Sequence, residues 1–223
     1  MSEFDQFAHD YERRMQETLA VTFTSEEYQA RYKSGLIKRY LARNRKIESI
    51  LDFGCGIGFS VPSLKEFFPE AKLFLTDVSE ASLEVAKKNH SGVTVLDSSL
   101  KDCGEFDVIF LSTVIHHITA SERIGIFNRL RGKLRENGCL FIVEHNTYNP
   151  LTRKIVANCE MDADAELISI RDLRDLLEDS CQFRIADSGF CSFFPEPLKA
   201  LARLDGLLKR IPLGGQYFVI ATT

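Results

Sequence analysis

The chain has 223 residues and a mass of 25.3 kDa, a little above the usual size of one domain, so a single compact unit with a small appended cap is expected. Hydrophobic residues make up 44% and charged residues 27%, with 13 Gly and 6 Pro, which argues against disordered, collagen-like and coiled-coil chains. A formal charge of −4 gives no global attraction to nucleic acid, and no apolar run approaches the ~20 residues that cross a bilayer.

The first ten residues, MSEFDQFAHD, carry acids where a leader would carry basic residues, so a cytoplasmic protein without a membrane span is expected. Residues 1–30 hold seven acidic and two basic side chains, whereas Arg31 to Lys46 hold seven basic and none acidic. Tyr32, Leu36, Tyr40 and Ile47 follow at roughly helical intervals, which predicts a helix with a basic outer face. Together with what precedes it this makes an N-terminal helical cap, 1–46. Its aromatic residues Phe4, Phe7, Tyr11, Phe23 and Tyr28 read either as core packing of short helices or as a lid that excludes water.

From Ser49 the pattern changes to short apolar runs alternating with segments at helical spacing, the signature of βαβ units and a parallel sheet. Strands are expected near 48–53, 72–76, 92–96, 106–112, 138–144, 182–191 and 215–222. The fold class is therefore α/β: a seven-stranded, mostly parallel doubly wound sheet with an antiparallel end, occupying 47–223. Capping signals stand at Ser79 and at Thr119 or Ser121. Asn137-Gly138 reads as the close of a helix over 121–135 and the opening of the next strand. Amphipathic helices are expected from Ser169 and over Pro195 to Arg210, the latter between the last two strands, which pair antiparallel.

The first strand runs straight into Gly54-Cys55-Gly56-Ile57-Gly58-Phe59-Ser60, a nucleotide-binding turn in the right context. Glycines at alternate positions let the backbone reach φ > 0 and approach a ligand closely. The spacing fits GxGxG and not GxGxxG, because the third dinucleotide glycine falls on Phe59. A diphosphate needs bare N–H groups there, so a ligand without phosphate is favoured. Asp77, at the end of the second strand, suits the two ribose hydroxyls of a nucleoside or the N-cap of the helix that follows.

Here the sequence resembles the class I S-adenosylmethionine-dependent methyltransferases, whose first motif reads much like LDFGCGIG. The resemblance covers roughly residues 47–145 and implies a fold, a cofactor and site residues. Asp52 stands where the family holds the methionine amino end, Asp97 and Ser98 where it meets adenine. Cys55 in the turn, Val78 beside Asp77 and Ser112 at the end of the fourth strand complete the cofactor set. A carboxylate at Asp52 also suits an ammonium and a sulfonium and would repel a phosphate.

The fourth strand lacks the (Asn or Asp)-Pro-Pro-Tyr signature that such enzymes use on amide or adenine nitrogens. Beyond it, Val114-Ile115-His116-His117-Ile118 resembles the His-His pair of some sugar and small-molecule O-methyltransferases. Imidazole titrates near neutrality, so His117, or His116, is the candidate general base, with packing or capping as the plain alternative. Glu144 closes the fifth strand, either orienting a histidine, acting as a second base or standing as an exposed strand-end carboxylate. The polar run Glu144 to Pro150 could hold a substrate hydroxyl.

An insertion, 146–168, containing Arg153, Cys159 and Asp162 to Asp164, is where acceptor selection is expected. The six cysteines show no CxxC or CxxxC pair, so no metal is expected. The expected activity is methyl transfer to a small-molecule hydroxyl, on a sugar, lipid or natural-product intermediate, by a monomer or homodimer. N- or C-methylation, an NAD-linked oxidoreductase and a non-catalytic nucleoside-binding protein are the alternatives.

Overall fold

The computed structural model describes residues 23–41, 46–101 and 103–223, which fall into two compact units, one ending at Ser112 and the other beginning at Thr113. Phe4, Phe7 and Tyr11, and most of the expected N-terminal cap, lie outside the described residues.

In the first unit, helix α1 (Glu26–Leu41) begins five residues earlier than the basic stretch and ends before Ile47. It buries Ala30, Leu36 and Ile37. Arg31 and Lys38 point outward over the Phe67 ring, at 5.0 and 5.3 Å, and Arg31 pairs with Glu66. Lys33 departs from the expected basic outer face: it is buried, and its charge acts on Asp52. Strands β1 (Ser49–Phe53), β2 (Lys72–Thr76), β3 (Val93–Val95) and β4 (Phe106–Ser112) are all parallel, in register Asp52↔Leu75 and Asp52↔Phe110. Every residue of β1 is buried, as the central strand of a parallel sheet covered on both faces must be. Helices α2 (Val61–Phe67) and α3 (Glu80–Asn89) make the crossovers. The cap of α3 is Ser79, whose hydroxyl accepts from Ser82 N, so Asp77 is not the N-cap.

The second unit starts with a 3-10 turn, Ile115–His117, and α4 (Ala120–Arg131). Helix α4 stops at Gly132 and β5 runs from Leu134 to His145. This corrects the reading of Asn137-Gly138 as a helix terminus: both lie inside the strand, with Asn137 at φ 63, a conformation that asparagine tolerates better than most residues. Helices α5 (Pro150–Ala157) and α6 (Ile170–Asp175) follow, capped by Asn149 and Ser169; α6 continues into a π-helical turn, Leu176–Ser180. Strand β6 (Arg184–Cys191) precedes a 3-10 helix, Glu196–Leu204, and the single-turn α7 (Asp205–Leu208). The expected helix over 195–210 is thus mostly 3-10, with non-helical angles at Leu198. Strand β7 (Gln216–Thr222) pairs antiparallel with both β5 and β6. All seven expected strands are present, hydrogen-bonded in the order β3-β2-β1-β4 in the first unit and β5-β7-β6 in the second.

Candidate active site

In the first unit the glycine turn is tied to the end of β2. Gly54 N and Cys55 N both donate to Thr76 O, at 2.8 and 3.1 Å, and Gly56 N donates to Asp77 Oδ2 at 2.7 Å. Asp77 Oδ1 accepts from Ser79 N at 2.9 Å, so this carboxylate joins the turn to the start of α3. Gly54, Gly56 and Gly58 have φ of 73, 53 and 88. Two of them serve different ends. A Cβ on Gly58 would stand 2.9 Å from the His90 ring, whereas one on Gly56 would meet nothing within 4 Å. Gly58 is there for packing, and Gly56 opens onto space a ligand can fill.

Asp52 is buried and accepts a hydrogen bond from Ser60 Oγ. Burial pushes its carboxyl up to about 7; the Ser60 hydroxyl and Lys33 pull the other way, and the charge of Asp77 adds to the rise. Two carboxylates that raise one another's cost of ionisation form a site that a cation relieves and a phosphate aggravates. S-adenosylmethionine, with an ammonium and a sulfonium and no phosphate, fits this turn. Asp52, Asp77 and the backbone from Gly54 to Gly58 are the residues that could hold it. Phe59, half-buried, stands where a dinucleotide site would need glycine.

Other members of the expected cofactor set are placed less distinctively. Asp97 and Ser98 are exposed, and Asp97 Oδ1 accepts from Ser99 N at 2.8 Å; this bonding to Ser99 lowers its pKa. Val78 is 63% exposed. Cys55 Sγ donates to Gly56 O at 3.4 Å, and burial pushes its thiol up. Ser112 ends β4, half-buried.

In the second unit His116, His117 and Glu144 come together. Glu144 is not an exposed strand-end carboxylate: it is buried and accepts from Val114 N at 2.7 Å, Ile115 N at 2.6 Å and His116 Nδ1 at 2.8 Å. It therefore fixes the turn that carries both histidines. His116 is also buried, and Glu166 N donates to its carbonyl at 2.7 Å. On its far side His116 Nε2 lies 3.4 Å from Asp162 Oδ1, and His117 Nε2 lies 3.5 Å from the same oxygen. The two imidazole centroids are 4.0 Å apart, and that of His145 is 4.8 Å from His116.

Burial opposes a charge on His116, but Glu144 and Asp162 prevail and raise its pKa. Glu144 is lowered in turn against its own burial, chiefly by the His116 charge. His117, by contrast, is lowered to about 4 by burial and by the cation beside it. The cluster is a protonated His116 clamped between two carboxylates, with a neutral His117 whose side chain is 23% exposed. Both Nε2 atoms and the Asp162 carboxylate lie within 4.8 Å of one another, close enough to share a metal ion.

Sequence reasoning missed Asp162 as a partner of the histidines and His145 as their neighbour; only the acidic run in 146–168 pointed that way. Asn146 and Asn149, read as possible substrate ligands, have structural duties instead. Asn146 Nδ2 donates to Gly214 O at 2.7 Å and Pro212 O at 3.1 Å, and Asn149 caps α5.

A family model described as a methyltransferase domain matches residues 25–186. Over 187 residues the chain is 29% identical to a malonyl-[acyl-carrier protein] O-methyltransferase of Legionella pneumophila, covering 78% of this chain and 60% of that protein. It is 26% identical over 128 residues to the ribosomal RNA small subunit methyltransferase C of Pseudomonas entomophila, covering 52% of this chain and 39% of that one. The chain thus spans 60% or less of the length of these curated relatives. Its fold is similar to that of an S-adenosylmethionine-dependent methyltransferase from Archaeoglobus fulgidus, with TM-score 0.64, 16% identity, and 85% and 92% of the two chains covered. The match over most of the chain, on the fold and glycine turn described above, decides the family: this chain belongs to the methyltransferase-domain family, that of the class I S-adenosylmethionine-dependent enzymes.

Proposed function

We propose that this domain methylates a hydroxyl group of a small molecule. One observation carries the reading: His117, kept neutral by burial and by the cation of His116, is partly open beside Asp162, while Glu144 and Asp162 hold His116 in place. When bound, S-adenosylmethionine supplies a methyl group on a good leaving group. What the chain must add is alignment, exclusion of water and a destination for the acceptor's proton. A hydroxyl oxygen that gains a methyl becomes a strongly acidic oxonium, so even a base titrating near 4 takes that proton readily. In this reading His117 Nε2 accepts it, the Asp162 carboxylate steadies the imidazolium, and His116 with Glu144 fixes the geometry. An amine acceptor would need no such assembly.

The size of the acceptor is supported by a cleft of about 450 Å³ in the second unit, lined by α5 and the segment after it and reaching Asp162, within the range of small-molecule sites. Arg153 and Lys154 line it and favour an acceptor bearing an anionic group. The chain's net charge of −4 disfavours RNA, the substrate named for one relative. The test is methyl transfer from labelled S-adenosylmethionine into a fractionated small-molecule extract and into ribosomal RNA, with products identified by mass spectrometry. A labelled ether supports the proposal; a labelled amine, carbon or RNA base replaces it.

A further inference from the structure

Between β6 and β7, Leu198, Leu201, Leu204 and Leu207 recur every third residue. In an α-helix that spacing drifts around the axis, but a 3-10 helix has three residues per turn and stacks i and i+3 in line. The 3-10 segment Glu196–Leu204 kinks at Leu198, so the in-line stacking holds for Leu201 and Leu204, and the segment buries none of its residues. These leucines are 49%, 37% and 38% exposed, and Leu207, on α7, is 82% exposed. Ile211 at 42% and Leu213 at 69% prolong the apolar strip. Asn149 Nδ2 donates to Leu213 O at 2.8 Å, which brings in Tyr148 and Leu151, each more than half exposed.

The strip is firmly mounted. Phe190 N donates to Lys209 O at 2.7 Å, Lys209 Nζ holds Asp187 at 2.8 Å, and Asp205 is turned inward. An apolar row this long, fixed with its side chains outward, has a partner surface. Its charges identify which kind. Lys199, Arg203 and Arg210 flank the row and make no ion pair among the described residues, in a segment whose acids are Glu196 and the buried Asp205. A second copy seated on the same patch would set these cations against one another. An anionic surface accepts both the leucines and the cations, as for helices that lie in a membrane interface.

We propose that residues 196–213, with the start of α5, form a peripheral docking surface for an anionic lipid bilayer. Flotation of the whole protein with phosphatidylcholine vesicles, with and without about one-third phosphatidylglycerol, tests this. Binding is expected to the anionic vesicles, to weaken in high salt, and to fall at least about tenfold in Leu204→Asp/Leu207→Asp. Leu207→Asp alone replaces a side chain that packs on almost nothing, so its unfolding midpoint stays at the wild-type value while vesicle binding still drops. Arg203→Glu/Arg210→Glu should abolish the preference for anionic lipid. No flotation, or flotation unaffected by Leu207→Asp, overturns the proposal. So does a dimer in sedimentation that Leu207→Asp dissociates, which would assign the strip to self-association.

Discussion

Cofactor binding should release a proton from Asp52. In the free protein its carboxyl titrates near 7 because it is buried and faces the charge of Asp77, so about half the molecules carry a proton there at neutral pH. An ammonium or sulfonium seated beside it favours the ionised form, so the bound complex holds Asp52 deprotonated well below neutrality. The sign follows: below 7 each pH unit weakens binding by roughly tenfold, because the proton must first leave. Between about pH 8 and about pH 5.5 affinity should fall roughly thirtyfold, or about 2 kcal/mol. Calorimetry near pH 7 in two buffers of different ionisation enthalpy should report about half a proton released per site. Since a buried acid with a raised pKa stabilises the fold only while protonated, the cofactor's thermal shift should also be larger at about pH 8 than at about pH 5.5. Asp52→Asn should flatten the pH dependence and weaken binding by about 1.5–3 kcal/mol at the alkaline end. Affinity independent of pH in the wild type, with no buffer-dependent heat, would refute the placement of the cation beside Asp52.

Glu144→Ala leaves two buried donors and one part-buried donor without their acceptor and should cost about 3–5 kcal/mol in urea unfolding; Glu144→Gln keeps the shape and should cost less. The wild-type fold should lose stability as pH rises above the ordinary histidine range, because raising the His116 pKa stabilises its protonated form. That alkaline loss should shrink in Glu144→Gln, where Asp162 alone remains to favour the protonated form. With the acceptor in hand, His117→Gln should lower turnover by about 10²–10⁴ while cofactor affinity measured by calorimetry is unchanged. Gly58→Ala, which drives a methyl into the His90 ring, should lower the unfolding midpoint. Gly56→Ala meets open space but carries a Cβ at φ 53, so it should cost about 1 kcal/mol of stability and weaken cofactor binding besides.

The first unit was legible because its signals are local. Strands β2 and β4 fall where the apolar runs place them, and all three glycines of the GxGxG spacing have φ > 0. Local signals also misled. Asn137-Gly138 carries the chemistry of a turn, and Asn137 does take φ 63, yet both residues fall within β5. Lys33 belongs to a basic run by composition but packs inward by its angle around α1. The leucines over 198–207 recur every third residue, and reading the segment as amphipathic captured the apolar stripe without the helix type. Asp162 was beyond reach, because only the fold brings a residue so far along the chain onto Nε2 of two histidines that precede it.

In the second unit β7 comes last along the chain but lies between β5 and β6 in the sheet, with Tyr217 opposite both Glu144 and Phe190. During synthesis, β5 and β6 therefore each wait with an unpaired edge until residues 216–222 clear the ribosome, since neither can pair with the other. Loss of that single strand would unmask two adhesive edges at once and route the polypeptide toward aggregation and quality control.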